Sequence, residues 1–253
     1  MGFFSKILGN NQPDFIHKTP FENPVDVDLH SHLIFGVDDG CENMEQSIEL
    51  LKGFAEMGMR KVITTPHVMG DYYKNNPGIL LPVRDKIREE LKKQNIQIEF
   101  ECAAEYLIDD LFEPKIASGE LLTFGSNKKY VLIELSFMEE PRELKQVLFQ
   151  LQVSGYTPVL AHPERYLYFT PKKERYHELK DQGILFQMNM LSTIGYYGKP
   201  TLDMAEYLIK NKLIDMVGSD THRIQHQQLL KEAYKSKLFY TLVHQTELLN
   251  KFL

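Results

Sequence analysis

The chain has little cysteine, no surplus of positive charge and no long apolar run, and each shortage closes off a class of function. Cys41 and Cys102 are the only cysteines among 253 residues, and they lie far apart with no CxxC spacing. That excludes a disulfide framework and a thiolate zinc site, and it fits a reducing, cytoplasmic compartment. The CxxxxxR signature of thiol-based phosphatases is missing too. A net charge of −6 leaves no Lys/Arg excess to displace counterions from nucleic acid. No stretch approaches the ~20 apolar residues of a membrane span. The opening MGFFSKILGNN is too short in its apolar part for a secretory signal. Residues 1–24 are expected to form an N-terminal arm packed on the domain; a helix touching a membrane or another subunit is the other reading. No Pro-, Gly- or Ser-rich tract divides the remainder, so residues 25–253 read as one domain.

What is present is alternation. Short runs rich in Val, Ile, Leu and Phe occur at 25–29, 61–65, 96–102, 130–135, 157–161, 184–188 and 214–218. Their lengths suit strands buried on both faces. Helical patterns fall between them at 44–58, 82–94, 141–155, 172–183 and 201–213. In the first of these, Ile48, Leu51, Phe54 and Met57 share one face. Gly155 and Gly183 are placed to end two others. Strand and helix in repeated alternation predict a parallel sheet or a β/α barrel.

The polar residues gather just after the strands. His30, His32, Asp38 and Asp39 follow the first, in VDLHSHLIFGVDDG. His67 follows the second in TTPH, and Glu105 the third in AAEY. Glu134 lies in LIELS, His162 and Arg165 in AHPERY, Asn189 in MNM, and Asp220 and His222 in GSDTH. Any one of these suits an ordinary hydrogen-bonded loop residue. Together they would converge, because strand C-terminal ends of a β/α barrel open on one face. Buried imidazoles and carboxylates in such numbers need compensation, and divalent cations supply it. The other histidines, His17, His177, His226 and His244, read as surface residues.

DLHSH, TTPH, AAEY, LIELS, AHPERY and GSDTH, in this order, resemble the PHP superfamily (polymerase and histidinol phosphatase). HSHLIFGVDDG with LIELS and AHPERY is similar to its bacterial manganese-dependent protein-tyrosine phosphatases, encoded with capsule and exopolysaccharide biosynthesis. The resemblance spans about residue 25 to the C-terminus. It implies a distorted seven-stranded β/α (TIM-like) barrel with three divalent ions, Mn²⁺ first, with Fe, Co, Zn or Mg as substitutes. By motif, one ion takes His30, His32, Glu105 and Asp220; a second shares Glu105 and adds Glu134 and His162. The third takes His67, His222 and either Asp38 or Asp39. Two departures touch substrate gripping. HVMGDYY stands where the relatives carry arginines after the TTPH-type histidine. Beyond the final histidine, Arg223 is adjacent and Gln227 follows.

Such cations would offset phosphoryl charge and acidify a bound water, and a hydroxide bridging two of them is the candidate nucleophile. Arg165 would hold two phosphoryl oxygens through its planar fork, with Asp220, His222 and Arg223 beside the reaction. Tyr72 and Tyr73, in the loop MGDYYKNNPG, are candidates for stacking on an aromatic substrate. Cys41 reads as a packing residue. A short AHPERY loop without an inserted domain leaves the mouth open to a protein tail. The implied substrate is a phosphotyrosine protein, an autophosphorylating bacterial tyrosine kinase of polysaccharide export. Alternatives are a small-molecule phosphatase, such as one acting on histidinol phosphate, and a non-catalytic module stapled by metal. Oligomeric state is left open.

Overall fold

The computed structural model describes residues 25–253, so the expected N-terminal arm and His17 lie outside the described residues. The strands are β1 (Val27–Asp28), β2 (Lys61–Thr64), β3 (His67–Val68), β4 (Glu99–Cys102), β5 (Glu105–Leu107), β6 (Lys129–Glu134), β7 (Tyr156–Ala161), β8 (Leu185–Asn189) and β9 (Met216–Gly218). The α-helices are α1 (Met44–Glu56), α2 (Pro77–Lys93), α3 (Phe112–Ser118), α4 (Leu144–Val153), α5 (Glu174–Asp181), α6 (Lys199–Lys210), α7 (Ile224–Ala233) and α8 (Lys237–Gln245).

All the pairings between these strands are parallel, in two sheets ordered β1-β2-β4 and β3-β5-β6-β7-β8-β9. Beyond the expected strands at 61–65 and 96–102 the chain forms two further short strands, β3 and β5, outside those bounds. Pro66, which has no N–H to donate, separates β2 from β3. Ala103 and Ala104 separate β4 from β5. Hydrogen bonds step across both gaps, from Ala103 N to Thr64 O (2.9 Å) and from Glu105 N to Pro66 O (3.1 Å). At the other side, Ser31 bridges Thr221 in parallel. There His32 N donates to Thr221 O (2.9 Å) and Asp220 N to His30 O (2.7 Å).

Side-chain alternation sorts the strands into two layers. Val27, Leu29, Ile63, Leu132, Val159, Ala161 and Met216 pack together in a small inner cluster. Their neighbours Val131, Ile133, Leu160, Phe186 and Val217 join the larger cluster shared with the helices. Glu134 has the parity of Leu132, so its carboxylate leaves β6 on the inner side.

Helix α2 starts at Pro77 rather than at the expected Pro82. The Asn76 side chain accepts from Ile79 N, and Pro77 suits the first turn because its missing N–H is not needed there. Gly155 and Gly183, at φ +81° and +82°, follow α4 and α5 in the left-handed conformation that glycine tolerates. Helices α3, α7 and α8 were not anticipated. The first is short and contains Pro114, and the second has no capping side chain. Helix α8 does carry a cap, Ser236 Oγ accepting from Phe239 N. No helix of the described residues is long and apolar enough to cross a membrane.

Candidate metal centre

Two glycines let the backbone close around His30 and His32. A Cβ on Gly218, at the end of β9, would lie 2.5 Å from His30 Cβ, and one on Gly40 would lie 2.1 Å from His32 O. Nothing larger than glycine fits either place. Glu105 opens β5, Glu134 closes β6, His162 follows β7, and Asp220 and His222 follow β9. His162 and Asp220 adopt φ +32° and +52°, values uncommon for non-glycine residues, although His and Asp enter this region more readily than most.

These side chains meet. His30 Nε2 lies 3.3 Å from Glu105 Oε2 and 3.6 Å from Asp220 Oδ1, and His32 Nε2 lies 3.6 and 3.5 Å from the same two oxygens. His162 Nε2 is 3.0 Å from Glu105 Oε1 and 3.5 Å from Glu134 Oε1. His67 has two working edges. Its Nδ1 faces Glu105 (3.1 Å) and Glu134 (3.7 Å), and its Nε2 faces Asp39 Oδ1 (3.6 Å). His222 Nε2 is 3.5 Å from that same Asp39 oxygen. Ligand atoms within 4.8 Å of one another thus form four groups: His32–Asp39–His67–His222, His30–His32–Asp220, His30–Glu105–His162 and His67–Glu105–Glu134. Glu105 stands between the last two.

The imidazoles are turned by bonds on their far sides. His30 Nδ1 lies 2.7 Å from Gln187 Oε1, His32 Nδ1 2.8 Å from Asp38 Oδ2, and His222 Nδ1 2.9 Å from Asp220 O. With the proton on Nδ1 each ring donates outward, leaving the Nε2 lone pair directed inward, the usual arrangement around a metal. Asp38 therefore lies behind the ring of His32 and outside the four groups; it also accepts from Gly40 N and His67 N. Asn189 Nδ2 donates to Asp220 Oδ2 (2.7 Å) and Asn75 Nδ2 to His67 O (2.8 Å).

The electrostatics are those of a site short of positive charge. Burial opposes charge on His30 and His67, yet the carboxylates around them, Glu105 foremost, push the two rings up to about 9 and about 10. Burial likewise opposes ionisation of Glu105, but the same two rings hold it well below the ordinary carboxylate range. Burial and the nearby Glu105 push Glu134 up to about 8. Burial and Arg165 push His162 down to about 4.

A cavity of about 490 Å³ opens over the cluster, within the range of small-ligand sites. Arg165 lines it, its Nη1 donating to Asp220 Oδ2 (3.2 Å) and its guanidinium packed between the rings of Phe137 (4.7 Å) and Tyr197 (4.6 Å). Arg223 and Tyr73 are also on the wall, and Tyr73 stacks on His67 at 5.7 Å and 11°. Tyr72 is 80% exposed and lies off the wall. His226 corrects the surface reading. It is buried, lines the cavity, and holds Arg223 Nε (3.2 Å) and Tyr196 Oη (3.1 Å) at its Nε2. Its closeness in sequence to His222, four residues before it, was the available signal. Gln187, Asn75 and Phe137 were missed as well, and short-range spacing carries no mark of them. Gln227 is turned away from the cavity and donates to Leu50 O (2.7 Å).

The family described as "Capsular polysaccharide synthesis, CpsB/CapC" matches residues 26–236. The chain belongs to the CpsB/CapC family. It is similar to the tyrosine-protein phosphatase YwqE of Bacillus subtilis (strain 168), 32% identical over 231 residues that cover 88% of this chain and 91% of the relative. A putative tyrosine-protein phosphatase CapC of Staphylococcus aureus is 29% identical over 223 residues, 85% of each chain. Among solved structures, one of the YwqE (B. subtilis) and CpsB (Streptococcus pneumoniae) pair, described as metal-dependent tyrosine phosphatases, aligns with TM-score 0.74 at 29% identity. It covers 88% of this chain and 96% of the other. A Listeria monocytogenes lactonase, Lmo2620, at TM-score 0.53 and 12% identity, shares the CpsB/CapC fold alone.

Proposed function

We propose that this CpsB/CapC protein is a metal-dependent phosphatase that hydrolyses phosphotyrosine in a protein substrate. The observation that carries it is a set of buried atoms. His30 Nε2, His32 Nε2, His67 Nδ1, Glu105 Oε2 and Glu134 Oε2 face one another without a hydrogen-bond partner. Stranding so many polar atoms is costly unless something binds them. Nitrogen and oxygen donors without sulfur suit Mn, Fe, Co or Zn, and Mn²⁺ is our first choice.

His30, His32, Glu105 and Asp220 would hold one ion, Glu105, Glu134 and His162 a second, and Asp39, His67 and His222 a third. Asp39 is preferred over Asp38 because its oxygen lies beside both His67 and His222. The ions would supply Lewis acidity toward phosphoryl oxygens and acidity for water. The protein's own part is positioning. Arg165, braced by Asp220 and two rings, presents its free edge to the phosphate, and Arg223, held by His226, approaches from the rim. A phenolate departs readily because its parent acid has a pKa near ~10.

The bonds between residues 30–32 and 220–221, with the inner cluster of strand side chains, support a single distorted barrel over residues 25–253. The substrate we infer is an autophosphorylating tyrosine kinase of capsule or exopolysaccharide synthesis, met in the cytoplasm. Rates on p-nitrophenyl phosphate, a phosphotyrosine peptide and histidinol phosphate test the reading, before and after chelation and with Mn²⁺ returned. Preference for histidinol phosphate, or full activity in metal-free protein, would sink it.

A further inference from the structure

The cavity is lined by apolar as well as charged side chains. At and just past the ends of β3, β5 and β6, which are neighbours in the sheet, the apolar side chains of Met69, Leu107, Leu135 and Phe137 line it beside the polar His67, Glu105 and Glu134. The same cavity is lined by Arg165 and Arg223. Phe137 is 47% exposed, a large apolar ring left open to water at the edge of a charged site. It is nonetheless held in place. The ring stacks on His162 (5.7 Å, 20°), meets Tyr166 at 5.7 Å, and has Arg165 Cζ 4.7 Å from its centroid. An aromatic side chain fixed in this way loses little freedom when a second ring packs against it.

We propose that Phe137 is a specificity-determining residue that receives the aromatic ring of the substrate, an inference that rests on the phosphotyrosine reading above. Arg165 joins phosphate and ring, because the guanidinium assigned to the phosphate also lies against Phe137. A phosphate held there places its ester substituent beside the ring. A phenyl substituent reaches the exposed part of Phe137; a methyl, seryl or other short alkyl substituent does not. Pairing of two rings favours the aryl ligand by about two- to tenfold beyond simple burial.

The test uses the metal-loaded full chain and two non-hydrolysable probes, phenylphosphonate and methylphosphonate, with affinities measured by calorimetry. The phenyl-to-methyl affinity ratio is expected to fall two- to tenfold in Phe137→Leu and Phe137→Ala and to persist in Phe137→Tyr, which keeps the ring. Elemental analysis of each variant separates loss of metal from loss of the aryl preference. An unchanged ratio in Phe137→Leu would overturn the proposal. So would an equal loss for both probes, since the ring would then merely prop His162 and Arg165. If the wild type hydrolyses phosphotyrosine peptide but shows no dependence on Phe137, this inference alone fails. If it cannot hydrolyse that peptide while the aryl preference tracks the ring, the substrate reading fails and the aryl site stands.

Discussion

Asp38 and His32 are joined through Oδ2 and Nδ1 at 2.8 Å, so the aspartate stands behind the imidazole whose other nitrogen faces Glu105 and Asp220. Its neighbour Asp39 turns instead toward His67 and His222.

That division predicts different losses. Asp39→Asn should reduce the bound metal by one equivalent per chain. Asp38→Asn should keep the count and weaken metal affinity roughly 10- to 100-fold, as removing a group that orients a ligand commonly does. Elemental analysis after dialysis, with metal titration by calorimetry, distinguishes the two. Equal losses from both variants would contradict the assignment.

Metal-free protein should lose stability as pH rises. His30 and His67, raised in the folded state to about 9 and about 10, contribute stability fully present below the unfolded value of roughly 6.5. That contribution disappears as pH climbs through 9 to 10. Glu134, held protonated up to about 8, acts in the same direction. Metal binding displaces those protons, so metal affinity should strengthen over the same window. Melting curves with chelator at pH 6.5 and 9.5 check the sign, and a higher Tm at pH 9.5 would refute it.

Cys41 should be dispensable for chemistry. Burial pushes its thiol up to about 11, which leaves almost no thiolate at neutral pH. Cys41→Ser is expected to retain most of kcat/KM on p-nitrophenyl phosphate, whereas EDTA abolishes it. Inactivation by the substitution with metal content intact would point to a thiol mechanism.

Arg165→Lys should lower kcat/KM by roughly 10- to 100-fold, since an ammonium cannot reproduce the fork or its packing between Phe137 and Tyr197. His226→Ala should chiefly raise KM, because it frees Arg223 without touching Arg165. Steady-state kinetics of both variants decide this; a fall in kcat alone for His226→Ala would be the contrary result.

The two loop tyrosines should separate. Tyr73→Ala removes a ring that stacks on His67, and KM for a phosphotyrosine peptide should rise a few-fold. Tyr72→Ala should leave KM unchanged, because that ring points into solvent. A rise in KM for Tyr72→Ala would show that the loop closes over bound substrate.

Much of the site was legible because the groups that meet are polar residues stationed just after apolar runs, where a parallel sheet opens. His30, His67, Glu105, His162 and Asp220 could be named from that placement. Gln187 could not be, although it holds His30, because the two are joined across 157 positions and a glutamine inside an apolar strand looks like any other. Phe137 carries no mark in the sequence, and only its contacts with His162 and Arg165 single it out. His226 reads as a surface residue in sequence because its partner Tyr196, whose ring centroid lies 5.4 Å away, is 30 positions distant along the chain.

The sequence by itself determined the alternation of strand and helix, the chemistry of the groups at the strand ends, and their order, since these follow from local pattern and residue type. Only the tertiary structure decided which nitrogen of each imidazole faces inward and which of two adjacent aspartates stands behind a ring. It also decided that Arg223 is held over the cavity while Gln227 is turned away. The physical reason is direction: one step along a tight turn reverses where a side chain points, and only the packed neighbours select the step.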